Sequence, residues 1–212
     1  MITSLITKLS IAALITCGDG QLPHEQYDHI YPCSPCSDVE YESEKTGKNP
    51  LRLKGSQLSM AAIINCMAID YDTDPVEMVA IAWVETRLKP HLVNRFKDAG
   101  MFQVNCRIHW KRFGYDKPFK WIKNKKRRRL KAIKQCVESQ MNVEENFRNA
   151  VHILDIMKSK RSCRGTKAYA CYNGGPGWAL VHKKRASGYR RKVVKIKKIL
   201  EKHYPELFDF GC

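Results

Sequence analysis

Acid is what this chain is shortest of. It sets 21 Asp and Glu against 38 Lys and Arg, a net charge of +17 over 212 residues. The shortage is uneven: residues 1–50 hold 3 Lys/Arg against 7 Asp/Glu, so the remainder, with 35 against 14, carries +21. A surface that basic favours a polyanionic setting, whether nucleic acid, an anionic membrane or a bacterial cell wall. Alternating strand-like runs are scarce, which leaves a mainly helical domain. Internal repeats and low-complexity tracts are missing, so no solenoid or polar tract is expected. The seven histidines show no ligand spacing, and "CSPC" at 33–36 has no second C-x2-C to pair with; neither a metal nor a cofactor is expected. Nothing is apolar for long enough to cross a bilayer.

The first residues, "MITSLITKLSIAALITCGDG", carry one lysine and then a short, largely apolar run from Leu9 to Cys17, followed by small residues. This fits a secretory leader over 1–20, and "LITC" resembles a lipoprotein signal in which Cys17 would be lipidated. Nine cysteines become eight if Cys17 goes with the leader, an even number suited to disulfides in an oxidising compartment. Their pairing is not readable from spacing. Residues 21–54 read as a polar, Pro-containing arm with CSPC, residues 55–205 as the helical domain, and 206–212 as a tail.

Within that domain, Met60, Ile63, Ile64 and Met67 share one helical face. "DTDPVEMVAIAWVETRL" opens on Asp74 as a cap, Pro75 in the first turn and Glu77 beyond, good signals for a helix start. "NVEENFRNAVHILDIMKS" puts Phe147, Val151, Ile153, Leu154 and Met157 inward. "TKAYACYNGGPGWA" begins helical and should stop at Gly174, Gly175 and Pro176. A last basic helix carries Tyr189, Val193, Ile196 and Leu200 on one side.

Glu85 breaks the pattern. It lies at i+4 from Ile81 and i−3 from Leu88, on the apolar stripe of its own helix. Partial burial disfavours the charged form and raises a carboxyl pKa. A glutamate that keeps its proton near neutral pH can protonate a leaving oxygen, as the general acid of a glycosidase does. The bland alternative is a glutamate at the stripe's edge, paired with Arg87 or a loop cation.

The residues around it decide between these. Glu85-Thr86, then Gly100-Met101-Phe102-Gln103-Val104-Asn105, then Ala170-Cys171-Tyr172-Asn173-Gly174-Gly175, then Tyr189 stand in that order. This succession resembles the catalytic domain of SLT-type lytic transglycosylases, whose pattern is Glu-Ser, Gly-Leu-Met-Gln, Ala-Tyr-Asn-x-Gly and a late Tyr. The likeness runs over about residues 55–205 and is nearest to the group found with secretion systems and phage particles. It implies a lysozyme-like fold, mainly α with a small β element. It also implies Glu85 as the single acid/base residue and Gln103 as a residue that hydrogen-bonds the sugar. Met101 and Phe102 would help wall the groove, Tyr172 and Asn173 would line the cleft, and Tyr189 would pack under Glu85 or contact it. Thr86 stands where the family has Ser and keeps the hydroxyl; Asn94 stands where the loop often has Ser and offers an amide.

The resemblance implies cleavage of the β-1,4 bond between N-acetylmuramic acid and N-acetylglucosamine without water, leaving a 1,6-anhydro end. Two rivals stay open. A hydrolytic lysozyme would need a second carboxylate to activate water, and Asp98 is the nearby candidate. An inactive wall- or nucleic-acid-binding component of a virion or secretion machine would need neither Glu85 nor Gln103. The expected partners are peptidoglycan strands, with secretion or phage-tail components beyond them. The basic run "KNKKRRRLK" at 123–131 would meet anionic wall polymer or a membrane surface. The expected state is an exported monomer, periplasmic or anchored to the outer membrane, or one carried in a virion.

Overall fold

The computed structural model describes residues 51–209. The leader, CSPC and the last three residues lie outside them. Among the described residues the chain is mainly helical: α1 (Gly55–Asp70), α2 (Pro75–Thr86), α3 (Cys106–His109), α4 (Lys125–Ser139), α5 (Val143–Ser159), α6 (Lys167–Val181), α7 (Lys183–His203) and α8 (Glu206–Asp209). Two short strands, β1 (Asp98–Ala99) and β2 (Val104–Asn105), pair antiparallel, with Asp98 opposite Asn105 and Ala99 opposite Val104.

The described chain divides into two compact units, one running to Val76 and resuming at Ile199, the other spanning Glu77–Lys198. In the first, α1 buries Met60, Ile64 and Met67, and its start is fixed where the Lys54 backbone N–H donates to Gln57 Oε1 at 2.9 Å. Tyr204 ties the entering strand of chain to the end of α7: its hydroxyl donates to the Leu51 carbonyl and accepts from the Leu53 N–H at 3.2 Å.

The second unit is organised by asparagine. Asn105, Asn124 and Asn142 each cap a helix, accepting from the backbone N–H three residues on, at 3.0, 3.0 and 2.9 Å. An Asn at this position has a side-chain oxygen short enough to reach the orphaned N–H, which stabilises each helix by about 1 kcal/mol. α2 starts at Pro75 as its sequence predicts, and Glu77 in its first turn is buried and ion-paired with Lys158 of α5 at 2.5 Å. The inward set expected for α5 is buried in full, and Phe147 packs edge-on against Phe102 with ring centres 5.7 Å apart. Beside this core Ala99, Cys106, Tyr115, Ala132 and Cys136 form a cluster, and Cys106–Cys136 joins α3 to α4.

One expectation needs correction. The helix at Tyr172 does break at Gly175, whose φ of 80° and ψ of 162° are not helical, but the chain turns helical again at once and runs on to Val181. Pro176 starts the second stretch, where its missing N–H costs nothing. The next helix begins at Lys183, so the basic helix is a full turn longer at its start than "GYRRK" suggests.

Candidate active site

Glu85 sits in the last turn of α2, half-buried. The Tyr189 hydroxyl, from α7, donates to its Oε1 at 2.6 Å, and the Asn173 side chain from α6 also hydrogen-bonds it. Burial pushes the Glu85 carboxyl up to about 7; the Tyr189 hydrogen bond pulls against this, the charge of Asp98 adds to it, and the Asn173 hydrogen bond opposes it. Desolvation wins because two neutral hydrogen bonds do not replace a carboxylate's hydration shell. Tyr172 and Tyr189 are held well above the usual tyrosine range, by burial first and then by the charge of Glu85, so both keep their protons.

Opposite this acid lies a polar ladder in the loop that leads to β1. Asn94 Nδ2 donates to Asp98 Oδ2 at 2.6 Å and to Gln103 Oε1 at 3.3 Å, while its Oδ1 accepts from the backbone N–H groups of Phe96 and Asp98. Asn105 donates to the other Asp98 oxygen at 2.5 Å. Asp98 therefore has an amide on each carboxylate oxygen.

The turn between the two strands is held in an unusual way. Four successive carbonyls each accept from a side chain. Asn146 Nδ2 of α5 donates to Ala99 O at 3.1 Å, Gln103 Nε2 to Gly100 O at 2.9 Å, Thr86 Oγ1 of α2 to Met101 O at 2.9 Å and Tyr172 of α6 to Phe102 O at 2.8 Å. Asn146 Oδ1 also accepts from the Phe102 N–H at 2.8 Å. Gly100, at φ +76°, leaves no room for a side chain: a Cβ there would lie 2.4 Å from the Asn146 side chain and from the Gln140 carbonyl. Backbone strain gathers nearby. Arg87, Leu88, Lys97 and Gln103 are non-glycine residues with positive φ, a conformation each adopts at a cost of order 1 kcal/mol or more.

The structure thus brings Glu85, Tyr189 and Asn173 together, with Tyr172 and Asp98 close enough for their charges to couple, and it joins Asn94, Asp98 and Gln103 in one ladder. It places three residues elsewhere than expected. Met101 and Phe102 are 0% exposed, so their side chains are core rather than groove wall. Thr86 is buried as well and spends its hydroxyl on Met101 O and Ala82 O. All three build the turn from behind. Gln103 also uses its amide within the loop, on Gly100 O and Leu92 O, as well as accepting from Asn94. Asn146 and Gln140 escaped the sequence reading, although the signal for Asn146 was the one that exposed Glu85: a polar residue on an apolar stripe, between Val143 and Ala150. Gln140 donates to nothing in the turn but accepts from Asn146 at 2.9 Å and is anchored by donating to Tyr115 at 3.0 Å. A second disulfide, Cys163–Cys171, fixes the start of α6 directly before Tyr172.

A glutamate at a helix end whose pKa is raised to about 7, beside a pinned polar loop, is the equipment of an enzyme that breaks glycosidic bonds by general acid catalysis. The transglycosylase SLT domain family matches residues 63–195, more than half of the chain, and the chain belongs to that family. It is a lytic transglycosylase of α-rich, lysozyme-like fold that acts on peptidoglycan. No curated protein and no solved structure matches the chain.

Proposed function

We propose that the enzyme cleaves the β-1,4 bond between N-acetylmuramic acid and N-acetylglucosamine without water, with Glu85 as its single acid and base. Tyr189 occupies Oε1 as donor, so the acid proton is carried on Oε2. It passes to the glycosidic oxygen as the C1–O bond breaks. The resulting carboxylate then takes the proton of the muramyl C6 hydroxyl as that oxygen bonds to C1, which restores Glu85 and leaves a 1,6-anhydro ring. Asn173 and Tyr189 hold the carboxyl through both steps, and Gln103 and Asn94 orient the sugar by exchanging loop hydrogen bonds for bonds to it.

The observation that carries this reading is the contrast in access between the two carboxyl groups. Glu85, with its pKa at about 7, still holds its proton in a large share of molecules at neutral pH and has no acidic partner sharing its hydrogen bonds, while both Asp98 oxygens accept from amides. Those amides leave each Asp98 oxygen a second acceptor site, but they fix the carboxylate within the loop. Asp98 instead supports the reading of a loop strut whose charge helps keep Glu85 protonated. The deciding measurement is mass spectrometry of muropeptides released from purified peptidoglycan. Muramyl ends about 18 mass units lighter than the hydrolysed form are expected, because no water is added. Reducing muramic ends as the main product would turn the assignment to a lysozyme with Asp98 as base.

We place the enzyme outside the cytoplasm, in the periplasm, at the outer membrane or in a virion. The disulfides Cys106–Cys136 and Cys163–Cys171 support an oxidising compartment, as does the leader-like start of the sequence. Non-reducing peptide maps showing these cysteines as free thiols in protein from its native source would end that reading.

A further inference from the structure

Residues 117–137 hold ten Lys and Arg and no Asp or Glu. Most of that run is α4 and the segment leading into it, and among the described residues its only ion pair is the exposed Lys134–Glu138 contact at 3.6 Å. Five consecutive cations, Lys125–Arg129, open the helix, and its first turn has no acid. A helix N-terminus carries partial positive charge and favours anions, so this arrangement opposes the helix's own dipole. The chain keeps it nonetheless, and an anionic surface laid against α4 would turn the repulsion into attraction.

Charge alone does not name the surface; the apolar side chains among the cations do. Trp121, just before α4, is 74% exposed and Leu130 is 60% exposed. Only Ala132 and Cys136 of α4 are fully buried, and on a helical projection Arg127, Lys131 and Lys134 line the opposite side with Leu130 beside them. The Lys131 ammonium lies 5.8 Å from both the Trp121 and Phe119 rings, so aromatic and cation belong to one patch. Cys106–Cys136 fastens the helix from behind, so the face is preformed. A polysaccharide or nucleic acid could stack on Trp121 but would give an exposed leucine nothing. The headgroup and upper acyl region of a bilayer rewards all three residue types at once: indole at the interface, leucine below it, Lys and Arg on lipid phosphates.

We infer that the outer face of α4, with Trp121 and Leu130 as its apolar contacts, docks this enzyme on a bilayer containing anionic lipid. None of its residues is among those gathered around Glu85, so the inference stands apart from the cleavage chemistry.

The test is cosedimentation of the full chain with phosphatidylglycerol vesicles and with phosphatidylcholine vesicles, alongside intact sacculi and double-stranded DNA as rival anions. Binding to the anionic vesicles should be at least about tenfold tighter than to the neutral ones. It should weaken about fivefold for each of Lys125→Ser, Lys126→Ser and Arg127→Ser, since one cation near such a surface is worth about that factor. Trp121→Ala and Leu130→Ser should each weaken vesicle binding several-fold while leaving binding to sacculi and DNA unchanged. A blue shift of tryptophan fluorescence on vesicles should vanish in Trp121→Phe. All these positions are on the surface, so circular dichroism and cleavage of short soluble fragments should not change. Equal binding to both vesicle types, or wild-type vesicle affinity in Trp121→Ala and Leu130→Ser, would overturn the inference. Tighter binding to sacculi or DNA than to anionic vesicles would do the same, and would make the partner a polymer.

Discussion

The two walls of the site handle a carboxyl group in opposite ways. On the helical wall, Glu85 is desolvated by burial beside two hydrogen-bond donors, and its pKa climbs to about 7. On the loop wall, Asp98 meets an amide at each oxygen and a lattice of Asn side chains around it. The first environment makes a reagent and the second makes a strut. Each carboxyl has two donors, so what marks Glu85 is the desolvation that its donors do not offset. Burying a carboxyl is the inexpensive way to store a proton near neutral pH.

The comparison can be broken most severely at Glu85. Glu85→Gln keeps the shape and the hydrogen bond from Tyr189 but has no proton to give. Lysis of purified sacculi should fall at least about a thousandfold. The same variant should be the more stable protein above neutrality. A folded-state pKa raised above the unfolded value near 4.5 means that the wild-type carboxyl costs nothing below about pH 4.5. That cost then grows as pH rises and is complete once pH passes about 7. Thermal melts should therefore show Glu85→Gln gaining on wild type between those limits, by up to about 3 kcal/mol at pH 8. Parallel melts across the range would mean that Glu85 is not desolvated.

Gly100→Ala should come next. It forces a methyl group against Asn146 and the Gln140 carbonyl at a positive φ, and a loss of about 3 kcal/mol in denaturant unfolding is expected, with lysis largely gone. The smallest effects sharpen the comparison by moving the acid's pKa without removing it. Wild-type kcat/KM on soluble glycan should decline above about pH 7 as Glu85 ionises. Tyr189→Phe removes a bond that favours the carboxylate, so this basic limb should shift to higher pH. Asp98→Asn removes a negative charge, so the limb should shift to lower pH. Each shift should be about half a unit to one unit, and Asp98→Asn should still release anhydro ends. Limbs that move together, or not at all, would show that the two walls are not electrically coupled.

Much of the helical wall was legible in the sequence, because helical period and caps are local. α2 begins at Pro75, α5 buries its expected face, and the oddity of Glu85 is visible from residues 81–88 alone. The loop wall was legible only as a likeness. The roles of Thr86, Met101 and Phe102 depend on which way a turn presents its carbonyls, and that is settled by partners on α2, α5 and α6 up to 70 residues away. The Cys106–Cys136 pairing, across 30 residues, was hidden for the same reason. The renewed helix after Gly175 was hidden by a different ambiguity: a Gly-Pro pair ends one helix and opens another with the same residues.

The turn at Ala99–Phe102 has a consequence for anyone who would move this catalytic loop to another protein. Its four carbonyls are claimed by side chains of α2, α5, α6 and the loop itself, so the short motif from Ala99 to Gln103 is not a portable part. Transplanted alone it would arrive with three carbonyls unclaimed, Ala99 O, Met101 O and Phe102 O, and would relax to some other shape. The smallest transferable module is the motif together with Thr86, Asn146 and Tyr172 in register. By the same reasoning, a screen for inactive variants will collect substitutions at Thr86, Asn146 and Tyr172 on three helices, each acting by letting go of one oxygen.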